Sequence, residues 1–273
     1  MLSQAEKGRA FQELHKREGI FVIPNPWDVG SARLLQHLGF EALATSSAGY
    51  AFSVGKADNN VGRDNTLAHA SAVAAATDVP VSIDLENCFG DAPAIVAETI
   101  RLAARTGAAG GSVEDATGRD DDPIYERALA IERVRAAAEA AHSLPFPFLV
   151  TARAENYLVG KPDLNDTIER LQAYQEAGAD VLYAPGLATK SDIAALISSV
   201  DRPVNVLMGL RGVQITLAEL ADLGVKRISV GSALARTAYD AVFRAAREVR
   251  ERGTFTFGDD AVSYKELNSI FEQ

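Results

Sequence analysis

The sequence predicts an α/β protein whose eight strand–helix units close into a (β/α)8 TIM barrel, and three observations carry that reading. Short β-branched runs ending in polar residues alternate with Ala/Leu-rich amphipathic stretches along the whole chain. Several of those stretches stop at a glycine (Gly39, Gly107, Gly178, Gly224, Gly253), the residue that best tolerates left-handed backbone past a helix end. The turn after the first strand reads Pro24-Asn25-Pro26-Trp27-Asp28 and lacks the G-x-G-x-x-G of a doubly wound dinucleotide fold.

In chain order, a flanking helix over 4–17 precedes strand 20–24, helix 30–38 and strand 42–45. Strand 81–85 is followed by helix 92–106, and strand 111–114 by helix 124–142. The remaining units pair strand 148–152 with helix 166–177, strand 181–184 with helix 191–199, strand 204–207 with helix 217–223, and strand 227–230 with the long helix 233–252. Strands that are apolar throughout and separated by helices specify a parallel sheet covered on its outer side. No linker or composition shift divides the chain, so 1–273 is read as one domain with 253–273 as its C-terminal tail.

Composition narrows the function. With 273 residues, 47% hydrophobic, the chain can bury a deep core without disulfides or a structural metal. Cys88 is its single cysteine, which excludes an internal disulfide and a zinc cluster. The net charge of −10 argues against nucleic acid, whose phosphates require a basic face. No export signal and no apolar run of the ~18 residues needed to span a bilayer is apparent, so the expectation is a cytoplasmic protein with no membrane partner and a small-molecule substrate.

Chemistry in such barrels gathers at the C-terminal strand ends. There the chain carries Thr45-Ser46-Ser47-Ala48, Asp84-Leu85-Glu86, Glu114-Asp115, Arg153-Ala154-Glu155 and Asn205. Asp84 and Glu86, two apart on a strand, share a face, and Glu114 on the adjoining strand reaches the same point. Carboxylates so crowded repel one another unless a cation sits among them, and all-oxygen ligands suit Mg2+ or Mn2+ better than zinc. The alternative is that these acids pair with Arg153 and cap loops. Arg153 is read as forking onto a substrate carboxylate, with a salt bridge to Glu86, Glu114 or Glu155 as its alternative. Ser46, Ser47 and Ala48 offer hydroxyls and backbone N–H groups for a carboxylate or an enolate oxygen, or else form a plain turn. The Gly-bounded segment 54–63 fits a lid that brings Asp58 to the substrate, or a solvated loop tip. Trp27 follows strand one as a pocket-lining candidate. His15, His37, His69 and His142 all fall in helical stretches, which argues against a Ser-His-Asp mechanism.

The stretches PNPWDVGSARLLQHLGFEALATSSAG, VSIDLENCFGD, GGSVEDATG, TARAEN, AGADVLYAPG and RPVNVLMGLRG, in this order and spacing, resemble the isocitrate lyase/phosphoenolpyruvate mutase superfamily, in particular its short phosphoenolpyruvate-mutase-like branch. The resemblance implies a Mg2+-dependent barrel whose last helix is exchanged with a neighbouring subunit, giving a homodimer or homotetramer. It implies small 2-oxo acids or their aldol-type adducts as substrates. By motif, Ser46, Ser47 and Ala48 match the carboxylate and oxyanion loop, Asp58 the gating-loop acid, and Asp84, Glu86 and Glu114 the metal carboxylates. Arg153 matches the substrate-binding arginine and Asn205 a polar group near the pocket. Two departures stand out. The loop Ala116-Thr117-Gly118-Arg119-Asp120-Asp121-Asp122-Pro123 holds neither the proton-donating cysteine of the isocitrate and methylisocitrate lyases nor the Lys and Asn-Ser pair of the phosphonomutases. Glu155 stands where Asp is common. The reading is therefore a lyase or decarboxylase cleaving a C–C bond in a small oxo or hydroxy dicarboxylate, with Arg153, Asp58 and Ser47 as catalytic groups. P–C bond chemistry and a catalytically idle binding barrel are the alternatives.

Overall fold

A computed structural model describes residues 2–272. Eight parallel strands form one sheet in the order β1-β8-β7-β6-β5-β4-β3-β2. They are β1 (Phe21–Val22), β2 (Leu43–Ala44), β3 (Val81–Asp84), β4 (Gly110–Glu114), β5 (Leu149–Arg153), β6 (Val181–Tyr183), β7 (Val204–Leu207) and β8 (Arg227–Ser229). The ring is closed between its ends by the Ala44 N–H, which donates to the Pro24 carbonyl at 3.1 Å. Asn25 fastens the same seam: its amide donates to the Thr45 carbonyl at 3.1 Å while its Oδ1 accepts the Val230 and Gly231 N–H groups, each at 2.9 Å. The architecture is the (β/α)8 barrel that the alternation of patterns predicts.

The helices are α1 (Gln4–Lys16), α2 (Val29–His37), α3 (Ser47–Ser53), α4 (Arg63–Ala75), α5 (Pro93–Ala103), α6 (Arg127–His142), α7 (Leu164–Glu176), α8 (Lys190–Ser198), α9 (Leu217–Asp222), α10 (Ala233–Arg252) and α11 (Tyr264–Phe271). Between β2 and β3 two helices stand, because Ser46 caps the short α3 before the chain loops out and returns in α4. Asp28 caps α2 by accepting the Ser31 N–H at 2.6 Å. Alanines let α5 and α6 lie close: Ala97, Ala103 and Ala104 join Ala137, Ala140 and Ala141 in one buried cluster. α1 plugs the N-terminal end of the barrel with Phe11 and Leu14, packed with Phe21, Leu149 and Val181. Gly110 is required there, since a Cβ would lie 2.6 Å from the Leu149 carbonyl oxygen and 3.2 Å from the Phe11 ring.

The tail is structured. α11 docks on α2, burying Ile270 and setting the Phe271 ring 5.6 Å from the Arg33 guanidinium. α10, the eighth helix of the pattern, has only Ala235 buried along its 20 residues and leaves Val242 and Phe243 more than 60% exposed. No helix among the described residues is long and apolar enough to cross a membrane.

Candidate active site

The C-terminal strand ends surround a cavity of about 190 Å3. Arg153, at the end of β5, is its centre of charge. Its Nη1 lies 3.1 Å from Asp84 Oδ1 and 2.8 Å from Glu114 Oε1, and its Nε donates to Glu155 Oε1 at 2.6 Å. The Tyr183 ring lies 5.0 Å from the guanidinium carbon. Burial opposes the charge of Arg153, yet Glu114, Glu155 and Asp84 hold it firmly protonated.

The acids are under the opposite pressure. Burial, followed by repulsion from Asp84 and Asp58, pushes Glu86 up to about 7. Burial also raises Glu114 well above the carboxylate range against the pull of Arg153, with Glu155, Asp84 and Glu86 adding to the rise. Asp58 is raised by burial and by Asp84, against a hydrogen bond from the Ser47 hydroxyl. Asp58, Asp84, Glu86, Glu114 and Glu155 thus share one guanidinium, and such a cluster holds protons or takes up a further cation. The donor set of hard oxygens fits Mg2+ or Mn2+. Among the described residues no three acidic, His or Cys side chains converge on a single point, because Arg153 stands between Asp84 and Glu114.

Local structure explains the placement of each group. Asp84 ends β3, its N–H donating to Thr45 Oγ1 at 2.9 Å and its Oδ2 accepting the Ser47 N–H at 3.0 Å. The loop that follows holds three non-glycine residues in the left-handed region, Glu86 (φ 52°), Cys88 (φ 60°) and Phe89 (φ 61°). Arg133 on α6, almost fully buried, clamps it: Nη1 donates to the Gly90 and Asp91 carbonyls at 2.5 and 2.7 Å, and Nη2 to the Asn87 carbonyl at 2.5 Å. Opposite, the loop 54–62 is exposed except for the half-buried Asp58 and the buried Val61, so Asp58 alone turns inward at its tip.

The match to the phosphoenolpyruvate phosphomutase profile runs over residues 11–250, nearly the whole barrel. The chain belongs to that family. A Burkholderia cenocepacia J2315 protein provisionally assigned as a lyase or mutase shares 60% identity and superposes with a TM-score of 0.97, covering 99% of this chain and 97% of the other. The 2-methylisocitrate lyase of Escherichia coli (strain K12) is 28% identical over 74% of this chain and 70% of its own. An oxaloacetate acetylhydrolase, solved in complex with the product oxalate, is 26% identical with a TM-score of 0.86, covering 98% and 93% of the two chains. Family members therefore include enzymes that act on small acids.

Of the residues singled out from the sequence, Ser46, Ser47, Ala48, Asp58, Asp84, Arg153 and Asn205 line the one cavity. Glu86 and Glu114 do not line it; Glu86 is buried in the acidic cluster, and Glu114, half-buried, lies against Arg153. Trp27 lies outside the wall, its carbonyl bonded to His69 Nε2 at 3.0 Å. The loop after β4 closes on itself through an antiparallel bridge between Ala116 and Ile124 and the Arg119–Asp122 ion pair, Arg119 also ties it to Asp91 of the loop after β3, and none of it reaches the cavity. Sequence reasoning missed Arg227. The available signal was a basic residue at an inward position of the strand KRISV, which strict alternation would have placed inside the barrel.

Proposed function

We propose that this protein is a divalent-metal-dependent enzyme that cleaves a C–C bond in a small 2-oxo or 2-hydroxy dicarboxylic acid, leaving a pyruvate-like enolate. The observation that supports this most is the meeting of Arg153, Asp84, Ser47 and Asp58, from four different segments, in a cavity sized for a ligand of several heavy atoms. Asp84, Glu86 and Glu114 would hold Mg2+ or Mn2+, which when bound supplies a Lewis acid for the charge that develops as the bond breaks.

The chain's own groups account for binding and orientation. The Arg153 guanidinium has the planar fork that grips a carboxylate in bidentate fashion, and a substrate carboxylate arriving there takes over from Asp84 and Glu114 as its partner. The Ala48 N–H in the first turn of α3, with the Ser47 hydroxyl where it leaves Asp58, would donate to a developing negative oxygen. Asp58 closes the mouth and excludes water. Because the loop after β4 offers neither a cysteine nor a phosphate-binding lysine and folds away from the cavity, C–C cleavage without an acid from that loop is favoured over methylisocitrate cleavage or P–C chemistry.

The exposed apolar residues of α10 support a homo-oligomer in which this eighth helix of the barrel pattern packs on a second copy of the chain, as a homodimer or homotetramer. The deciding experiment incubates the protein and Mg2+ with oxaloacetate, dimethylmalate-type acids, methylisocitrate and phosphonopyruvate, and follows pyruvate and oxalate. Turnover of a C4–C6 oxo or hydroxy acid supports the reading; turnover of phosphonopyruvate alone overturns it.

A further inference from the structure

Beneath the acidic mouth the barrel interior is polar. Branched apolar layers usually fill this space, yet Ser82, Ser112, Thr151, Asn205 and Ser229 occupy buried inward positions here. Among them lies Arg227, at the first residue of β8 and 5% exposed. Its Nε donates to Asn205 Oδ1 at 2.9 Å, its Nη2 to Thr151 Oγ1 at 3.1 Å, and its Nη1 to His15 Nε2 at 3.3 Å. All three partners are neutral: His15 on α1 is held uncharged by burial and by Arg227 beside it, and its Nδ1, donating to the Phe11 carbonyl at 2.8 Å, leaves Nε2 to accept.

Among the described residues no carboxylate pairs with Arg227. A buried guanidinium without a counter-charge is costly, because its hydration is lost and nothing of opposite charge replaces it, and it is ordinarily paired. Three of its five N–H groups are accounted for by the three bonds. The same side chain forms part of the wall of the central cavity. Asn205 extends the network upward, donating to Ser229 Oγ at 2.9 Å, and Ser229 bonds the Tyr183 hydroxyl beside Arg153.

We propose that Arg227, with Thr151, Asn205 and Ser229, forms a subsite for one small anion, a carboxylate or a halide, on the floor of the barrel cavity and separate from the carboxylate grip of Arg153. The missing counter-charge is then supplied by a ligand, which the serine and threonine hydroxyls around it complete with hydrogen bonds. Two sources share this chemistry: a free inorganic anion, or the far carboxylate of the substrate. In the second case the inference rests on the function proposed above and limits the substrate to acids long enough to reach from Arg153 to Arg227.

The test uses the full chain in a buffer whose only anion is a bulky organic sulfonate. Chloride and formate are titrated separately, reading the melting temperature and, for chloride, 35Cl line broadening. Saturable stabilisation of a few degrees at millimolar anion, lost in Arg227→Met and weakened at least tenfold in Thr151→Val, is the expected result. If Arg227→Met does not fold, displacement of the broadened 35Cl signal by formate in the unaltered protein, together with Thr151→Val, serves as the test. Chloride release by succinate with Mg2+ identifies the far carboxylate as occupant; retention of chloride under both succinate and oxalate identifies a free anion. Absence of saturable binding of either probe, or equal binding in Arg227→Met, overturns the subsite. Failure of oxalate with Mg2+ to stabilise the unaltered protein would count against the proposed function alone.

Discussion

The Ser47 backbone N–H points at Asp84, donating to Oδ2 at 3.0 Å, and so ties the first turn of α3 to the end of β3. The other oxygen of Asp84 is taken by Arg153 at 3.1 Å. Both are therefore engaged, and a cation arriving at Asp84 must compete with Arg153.

That competition yields the first prediction. Chelation with EDTA should abolish turnover, with Mg2+ or Mn2+ restoring it and Zn2+ doing so poorly. Asp84→Asn should weaken Mg2+ binding. Arg153→Met should bind Mg2+ about tenfold more tightly while losing substrate affinity, since the acids have lost a cation they shared. Calorimetric titration reads both; weaker Mg2+ binding in Arg153→Met would show that Arg153 organises the site and does not compete for it.

The loop over 54–62 should open to admit ligand. Lys56 is exposed, whereas Arg63 lies 3.5 Å from Glu98, so limited trypsin digestion should nick first after Lys56. Mg2+ with oxalate should slow that nick. Asp58→Ala should lower kcat on the order of 10²-fold with a smaller effect on oxalate affinity, because closure contributes chiefly in the transition state. Identical nicking with and without ligand would leave 54–62 a solvated loop.

His15 makes stability pH-dependent. Burial, with Arg227 beside it, lowers its pKa from 6.5 to about 3. The unfolded chain therefore takes up this proton first as pH falls, so the stabilisation is complete above pH 6.5 and is lost progressively between 6.5 and 3. The Tm of the parent protein should fall over that window more steeply than that of His15→Gln. Parallel curves would exclude His15 as the source.

Arg133→Met should lower stability by about 2–4 kcal/mol, the range for breaking a buried network. It should also weaken Mg2+ binding, because the loop released by Arg133 carries Glu86. Denaturant melts and metal titration check the two effects, and unchanged metal affinity in a folded variant would confine Arg133 to packing.

Methylisocitrate should be cleaved at less than about a thousandth of the rate of an enzyme that has its proton donor in place. Assay of the pyruvate and succinate released measures this directly.

The barrel and its mouth were legible in the sequence because their signals are local. Alternation of β-branched and amphipathic runs sets each strand and the helices α1, α2 and α5 to α10 within a few residues, and two-residue periodicity puts Asp84, Arg153 and Asn205 on inward faces at the strand ends. Element boundaries were less legible: α3 and its cap Ser46 stood in what reads as a turn, since a seven-residue helix carries too little periodicity to detect. What only the tertiary structure decided is which charges meet. The grouping of Arg153 with Asp84, Glu114 and Glu155, the clamp of Arg133 on the loop of Glu86, and the isolation of Arg227 from the carboxylates of the described residues depend on how the closed ring staggers its strands and on what α1 and α6 press against it. Coulomb and hydrogen-bond energies act over a few ångströms between residues as many as 212 positions apart, and no spacing along the chain encodes that proximity.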